Sequence, residues 1–119
     1  MIATHDRVDK YPDLTGNYEV IQLRINQKLL HSNTYADSML TVVYFDIKNG
    51  CVFQFNTLAK RWNGTFTKDR NHLKIKWFSP PGKPVFDGTM DKINDSGKLM
   101  LIGLFGKDLI TVILQKVNN

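Results

Sequence analysis

Apolar and polar positions alternate with a period of two along most of this chain, in short runs bounded by glycine, proline, asparagine or aspartate. The runs are GNYEVIQLRI (16–25), MLTVVYFD (39–46), GCVFQFNT (50–57), RWNGTFT (61–67), HLKIKWFS (72–79), VFDGTMDKI (85–93), KLMLIGLFG (98–106) and LITVILQKV (109–117). Period two is the mark of a half-buried strand, and almost no stretch shows the 3.6-residue period of an amphipathic helix. Several connections carry hairpin chemistry: Asn49-Gly50, KDRN, SPPGKP, NDSG and GKD. Consecutive hairpins lay sequential strands side by side, and eight of them lose their exposed edges most simply by closing on themselves. The pattern therefore predicts an all-β fold, an eight-stranded antiparallel up-and-down barrel over residues 13–119. It is preceded by a short N-terminal segment, 1–12, with one long loop or short helix near 26–38 over one mouth.

Alternation also assigns faces. Trp62, Gly64 and Phe66 share one side of their strand, with Arg61, Asn63, Thr65 and Thr67 on the other; Leu73, Ile75 and Trp77 oppose His72, Lys74 and Lys76. With KDRN as the turn, Trp62 faces Trp77, Phe66 faces Leu73 and Thr65 faces Lys74. Around SPPGKP, Lys76 falls opposite Asp87 and His72 opposite Asp91. Across Asn49-Gly50, Leu40, Val42 and Tyr44 match Cys51, Phe53 and Phe55. The candidate interior is thus Tyr44, Phe53, Phe55, Trp62, Phe66, Trp77, Phe86 and Met90, joined by Phe105. An eight-stranded barrel is just wide enough to be filled by side chains or to hold one small ligand. The inward aromatics favour filling, whereas Gly64 and Gly88 on the same rows leave space for a narrow apolar pocket.

The last hairpin breaks the alternation. LMLIGLF and LITVIL are apolar on both faces. If Leu99, Leu101, Phe105, Ile110, Val112 and Leu114 point inward, then Met100, Ile102, Leu104, Leu109 and Ile113 point out. Ile21 and Leu23 of the neighbouring first strand extend this stripe, subject to a bulge. Such a surface marks either a partner contact, as in a homodimer or docking on a parent protein, or the resting place of an N-terminal segment carrying Ile2, Val8, Tyr11 and Leu14.

Composition changes this picture little. A chain of 119 residues is enough for one core. The formal charge of +5 is spread along the chain rather than clustered. Its cations fall on the face opposite the rings, whereas single-stranded nucleic acid needs both on one surface. No nucleic-acid partner is therefore expected. The N-terminus lacks the uninterrupted apolar segment of a secretory signal, no run approaches a spanning helix, and the single Cys51 fits a reducing compartment. His5, His31 and His72 lack metal spacing, and no nucleophile motif or phosphate loop is present. Asp46, sharing a face with Tyr44 and Cys51, is the best polar cluster, and its place beside a turn fits a capping role. The reading is of a non-enzymatic protein without metal or cofactor.

The entry DLTGNYEV resembles the Gly-x-Trp opening of lipocalins and related calycin barrels, with Gly16 and Tyr18 in the motif positions and tyrosine in place of tryptophan. Over residues 13–117, the spacing of LTGNYEV, INQKLL, RWNGTFT and GKDLITVILQKV resembles the lipocalin-like soluble tail of DoxX-type bacterial membrane proteins. Lys116 stands where lipocalins place an arginine over the entry tryptophan, and the lipocalin C-terminal helix is missing. The resemblance implies a barrel, a small hydrophobic ligand and no established chemistry. It also implies a cytoplasmic address tethered at the membrane face through a parent membrane protein.

Overall fold

The alternating runs become nine antiparallel strands in the computed structural model, which describes residues 11–12, 14–30, 40–55, 61–93 and 97–117. They are β1 (Gly16–Ile25), β2 (Lys28–Leu30), β3 (Leu40–Phe45), β4 (Gly50–Phe55), β5 (Arg61–Asp69), β6 (His72–Ser79), β7 (Phe86–Lys92), β8 (Lys98–Phe105) and β9 (Asp108–Lys116). Each strand from β3 to β8 pairs with the next, β1 pairs with β3, and a β1–β9 ladder closes the ring. The result is a closed eight-stranded barrel with no helix among the described residues. The extra strand, β2, lies outside the ring.

That extra strand corrects the expectation of a loop or helix over 26–38. Asn26 and Gln27 both take positive φ, 51° and 70°. This is the left-handed pair that lets a two-residue turn follow the twist of its strands. The chain then doubles back so that Leu23 pairs with Leu30 and Ile25 with Lys28. Residues 31–38 of the expected connection lie outside the described residues.

Two bulges reverse faces. The register of β3 on β4 shifts between Leu40 and Val42, so Val43 and Phe45 are buried while Val42 and Tyr44 face outward. Tyr44 is therefore not an interior residue. In β1 the shift falls between Val20 and Gln22, leaving Ile21 outside and turning Leu23 into the core at 3% exposure. Leu23 is thus no part of an outer stripe. One inserted residue exchanges the faces of everything beyond it, because side chains repeat every two positions.

A third correction leaves the faces intact. Arg70 adopts φ 57°, and the turn between β5 and β6 contracts to Arg70-Asn71, with Asp69 paired to His72. Trp77 therefore faces Gly64, Ile75 faces Phe66 and Lys76 faces Thr65. On β7, Lys74 lies opposite Asp87 and His72 opposite Thr89. The β5–β6 partners move by two places, which preserves the inward rows.

The two ends of the barrel differ. At the end where β1 enters, Leu14 is buried and Tyr18 donates its hydroxyl hydrogen to the Leu14 carbonyl at 2.7 Å. Tyr11 stacks on Phe66 at 5.6 Å between centroids and donates to the Lys68 carbonyl at 3.1 Å. Below this plug, Tyr18, Phe45 and Phe66 meet edge to face at 6.0 and 5.2 Å. Tyr11 and Leu14 thus stop one end of the cylinder instead of covering its outer wall, while Ile2 and Val8 lie outside the described residues. The opposite end carries the turn at Asn26, the start of β3, the end of β4, the start of β5, the connection of 80–85 and the start of β9.

Candidate functional site

The open end leads into a cavity of about 250 Å³. Its aromatic wall is Phe53, Phe55, Trp62, Phe86 and Phe105. Aliphatic side chains complete it: Leu23, Ile25 and Leu40 from one side, and Leu101, Ile110 and Val112 from the other. Asp108 is the one ionisable group in the wall, at the start of β9. Each lining residue sits there for a local reason. Phe53 and Phe55 alternate inward on β4, Leu101 faces Val112 across β8 and β9, and the β1 bulge brings in Leu23 and Ile25.

The aromatic residues form a continuous layer. Trp62 lies 5.1 Å from Phe55, 5.5 Å from Trp77 and 5.0 Å from Phe105. Trp77 packs edge-on against Phe53 at 4.7 Å, directly behind the cavity wall. Its Nε1 is buried without a hydrogen-bond partner, which costs on the order of 1–3 kcal/mol.

The mouth is polar and cationic. The Asn26 side chain donates to Asp108 Oδ1 at 3.0 Å and accepts from the Leu109 amide at 2.9 Å, clasping the β1–β2 turn to β9. Lys83, from the β6–β7 connection, holds its ammonium 4.9 Å from the centre of the Trp62 ring.

No known family matches the chain, and no curated protein or solved structure matches it either.

Of the eight interior residues expected from sequence, Phe53, Phe55, Trp62 and Phe86 line the cavity. Phe66 and Trp77 are buried beside or beneath it, Met90 is buried near Tyr11 and Leu14 at the plugged end, and Tyr44 is outside. The expected outer stripe survives in Ile21, Met100, Ile102, Leu104 and Ile113, of which Ile21 and Leu104 are the most exposed, at 53% and 52%. Sequence reasoning missed Lys83 and Asp108 at the mouth. Their signal was only their place in the connections that end strands at the open side.

The polar cluster around Asp46 separates. Tyr44 and Cys51 lie on opposite faces, and the Asp46 amide donates to the Gly50 carbonyl at 2.8 Å as part of the β3–β4 turn. Cys51 is 1% exposed, and burial pushes its thiol far above the usual range. Only the thiolate is nucleophilic. The native protein should therefore resist alkylation by iodoacetamide at mildly alkaline pH and react fully once unfolded, as mass spectrometry would record. Prompt labelling of the folded chain would contradict the buried position.

On the outer wall, His72 Nε2 meets Asp87 Oδ1 at 2.5 Å. That hydrogen bond, helped by the charges of His72 and Lys74, holds the Asp87 carboxyl below its ordinary value. Both side chains are about half exposed, so the pair contributes little to stability. Among the described residues, no three His, Cys, Asp or Glu side chains gather as a metal site, and no helix is long and apolar enough to cross a membrane.

Proposed function

We propose that this protein is a non-enzymatic, lipocalin-like barrel that holds one small apolar molecule in its interior. The carrying observation is the apolar cavity of about 250 Å³, plugged at one end and open at the other. At roughly 30 Å³ per water-sized group, it takes about eight carbons. Burying that many methylenes is worth roughly 6 kcal/mol before the costs of association, which sets an affinity no tighter than tens of micromolar.

The lipocalin-like reading is supported by the entry strand. A Cβ at Gly16 would lie 2.9 Å from Lys116 Cε, so the lysine stem crosses the glycine of the entry motif. Tyr18, in the tryptophan position of that motif, is buried under the plug.

Trp62 lines the cavity and Trp77 packs on it, so the emission of the two indoles should shift on titration with 1-octanol and saturate at one molecule per chain. Native mass spectrometry of the purified protein reports subunit count and retained ligand together. Unchanged emission and an empty protein would favour a second reading, that of a filled accessory module working through its outer surface. The exposed Ile21 and Leu104 support that reading, and a dimer in the same spectrum would identify it.

A further inference from the structure

We propose that the rim around the open mouth docks on the surface of an anionic lipid bilayer. The inference goes beyond ligand binding and stands on the rim alone.

Three observations meet there. The first is exposed apolar side chains: Phe78 at 65% exposure near the end of β6, Val85 at 36% before β7, and Leu29 at 37% beside the β1–β2 turn. By strand direction all three belong to the open end. The second is charge. Taking the connections at that end with the two strand residues flanking each, the described side chains include Arg24, Lys28, Arg61, Lys83 and Lys107 against two carboxylates, Asp87, which is paired with His72, and Asp108. Asp108 is already held by Asn26 at 3.0 Å. The third is placement. Lys83 lies over Trp62 at the mouth and follows Pro80 and Pro81 in a connection that carries Val85 and begins just after Phe78 of β6, so an apolar wedge and a cation share one short segment.

The plugged end is built otherwise. Its six lysines and arginines exceed Asp46, Asp69 and Asp91 by a margin similar to that at the open end, but among the described residues its one large exposed apolar side chain is Ile93. Lone surface hydrophobes are ordinary, but apolar side chains ringed by lysine and arginine around an apolar opening match the layered chemistry of a headgroup region over acyl chains.

Other occupants fit less well. Two copies meeting rim to rim would bring like charges face to face. A nucleic acid strand needs a row of exposed rings for its bases, and the rim offers one, Phe78. The bilayer suits both the charges and the aliphatic side chains. It also places the mouth where an apolar molecule can pass from lipid to cavity without crossing water.

The test is co-sedimentation of the purified chain at low salt with vesicles of phosphatidylcholine alone, or of phosphatidylcholine mixed equally with phosphatidylglycerol. The expected result is binding to the anionic vesicles only, reduced by salt. Lys83→Glu and Phe78→Ser should each lower the partition coefficient by about tenfold or more, while Lys98→Glu at the plugged end leaves it within about twofold. Phe78 and Lys83 are exposed and Lys98 is half-buried, and an unchanged thermal midpoint verifies the fold of each variant. Equal binding to neutral vesicles, equal losses from Lys83→Glu and Lys98→Glu, no binding at all, or displacement of the protein from vesicles by single-stranded oligothymidylate would overturn the proposal. The octanol titration is independent of these outcomes, so the cavity and the rim stand or fall separately.

Discussion

Gly88→Val should prevent the barrel from closing. Gly88 on β7 and Gly103 on β8 face one another in register. A Cβ at Gly88 would sit 2.5 Å from the Gly103 Cα and against the Ile102 carbonyl oxygen; one at Gly103 would meet the Asp87 carbonyl oxygen at 2.6 Å and the Phe86 ring at 2.8 Å. Most of these neighbours are backbone, so no rotamer change relieves the overlap. Overpacking among side chains costs roughly 1–3 kcal/mol. Here two hydrogen-bonded strands must separate, and the expected loss exceeds about 4 kcal/mol, a large part of the 5–15 kcal/mol that holds such a domain together. Soluble yield and near-ultraviolet dichroism read the effect. Thr67→Val, on an exposed outer position of β5, should change stability by no more than about 0.5 kcal/mol. A Gly88→Val protein as stable as that control would show that the strands do not approach as described.

The second large effect is at the plug. Phe66 is 1% exposed and lies between Tyr11, at 5.6 Å, and Phe45, at 5.2 Å. Phe66→Ala removes the ring on which the plug rests, and its neighbours are held by hydrogen bonds that limit collapse: Tyr11 to the Lys68 carbonyl, Tyr18 to the Leu14 carbonyl. Truncations of this kind cost roughly 3–5 kcal/mol, and for a domain of this size each kcal/mol lowers the midpoint by about 4 °C. A fall on the order of 15 °C in a calorimetric scan is expected. A fall no larger than about 3 °C would mean that the Tyr11 segment is not seated on the core.

The architecture was legible because its signal repeats. Alternation over eight runs, with a hairpin signal in most of the gaps, leaves few ways to arrange the chain, and β1, β5, β6 and β8 begin where the pattern places them. What failed was local. Tyr44 and Leu23 were assigned to the wrong faces because a bulge adds one residue without altering composition. The β5–β6 register slipped by two because Arg70 takes a left-handed conformation that nothing in KDRN announces. β2 is three residues long, too short for any period to show. The cavity was illegible for a different reason: the same inward residues serve a packed or a hollow interior. The difference lies in packing geometry, with Trp62 and Trp77 tilted 72° to one another and Leu23, Leu101 and Val112 lining open space. Gly64 and Gly88, whose rows signalled room for a ligand, are occupied instead by close neighbours: the Lys76 carbonyl and the Trp77 ring at Gly64, and the backbone of Ile102 and Gly103 at Gly88.

The circumference of this cylinder is not uniformly zipped. One margin of β1 runs against β9 over seven paired residues, but the other is divided: four residues pair with β3 and, beyond the bulge, three pair with β2. No ladder joins β2 to β3 among the described residues. Opening the wall there breaks four backbone pairings, as it would between β6 and β7, where parting β8 from β9 breaks eight. Regions with few hydrogen bonds to lose are those that open first. One of these two short seams runs beside Leu23, Ile25 and Leu40, so the chamber can yield sideways there, like a cuff with a short row of stitches, while the β8–β9 side of the hoop stays shut.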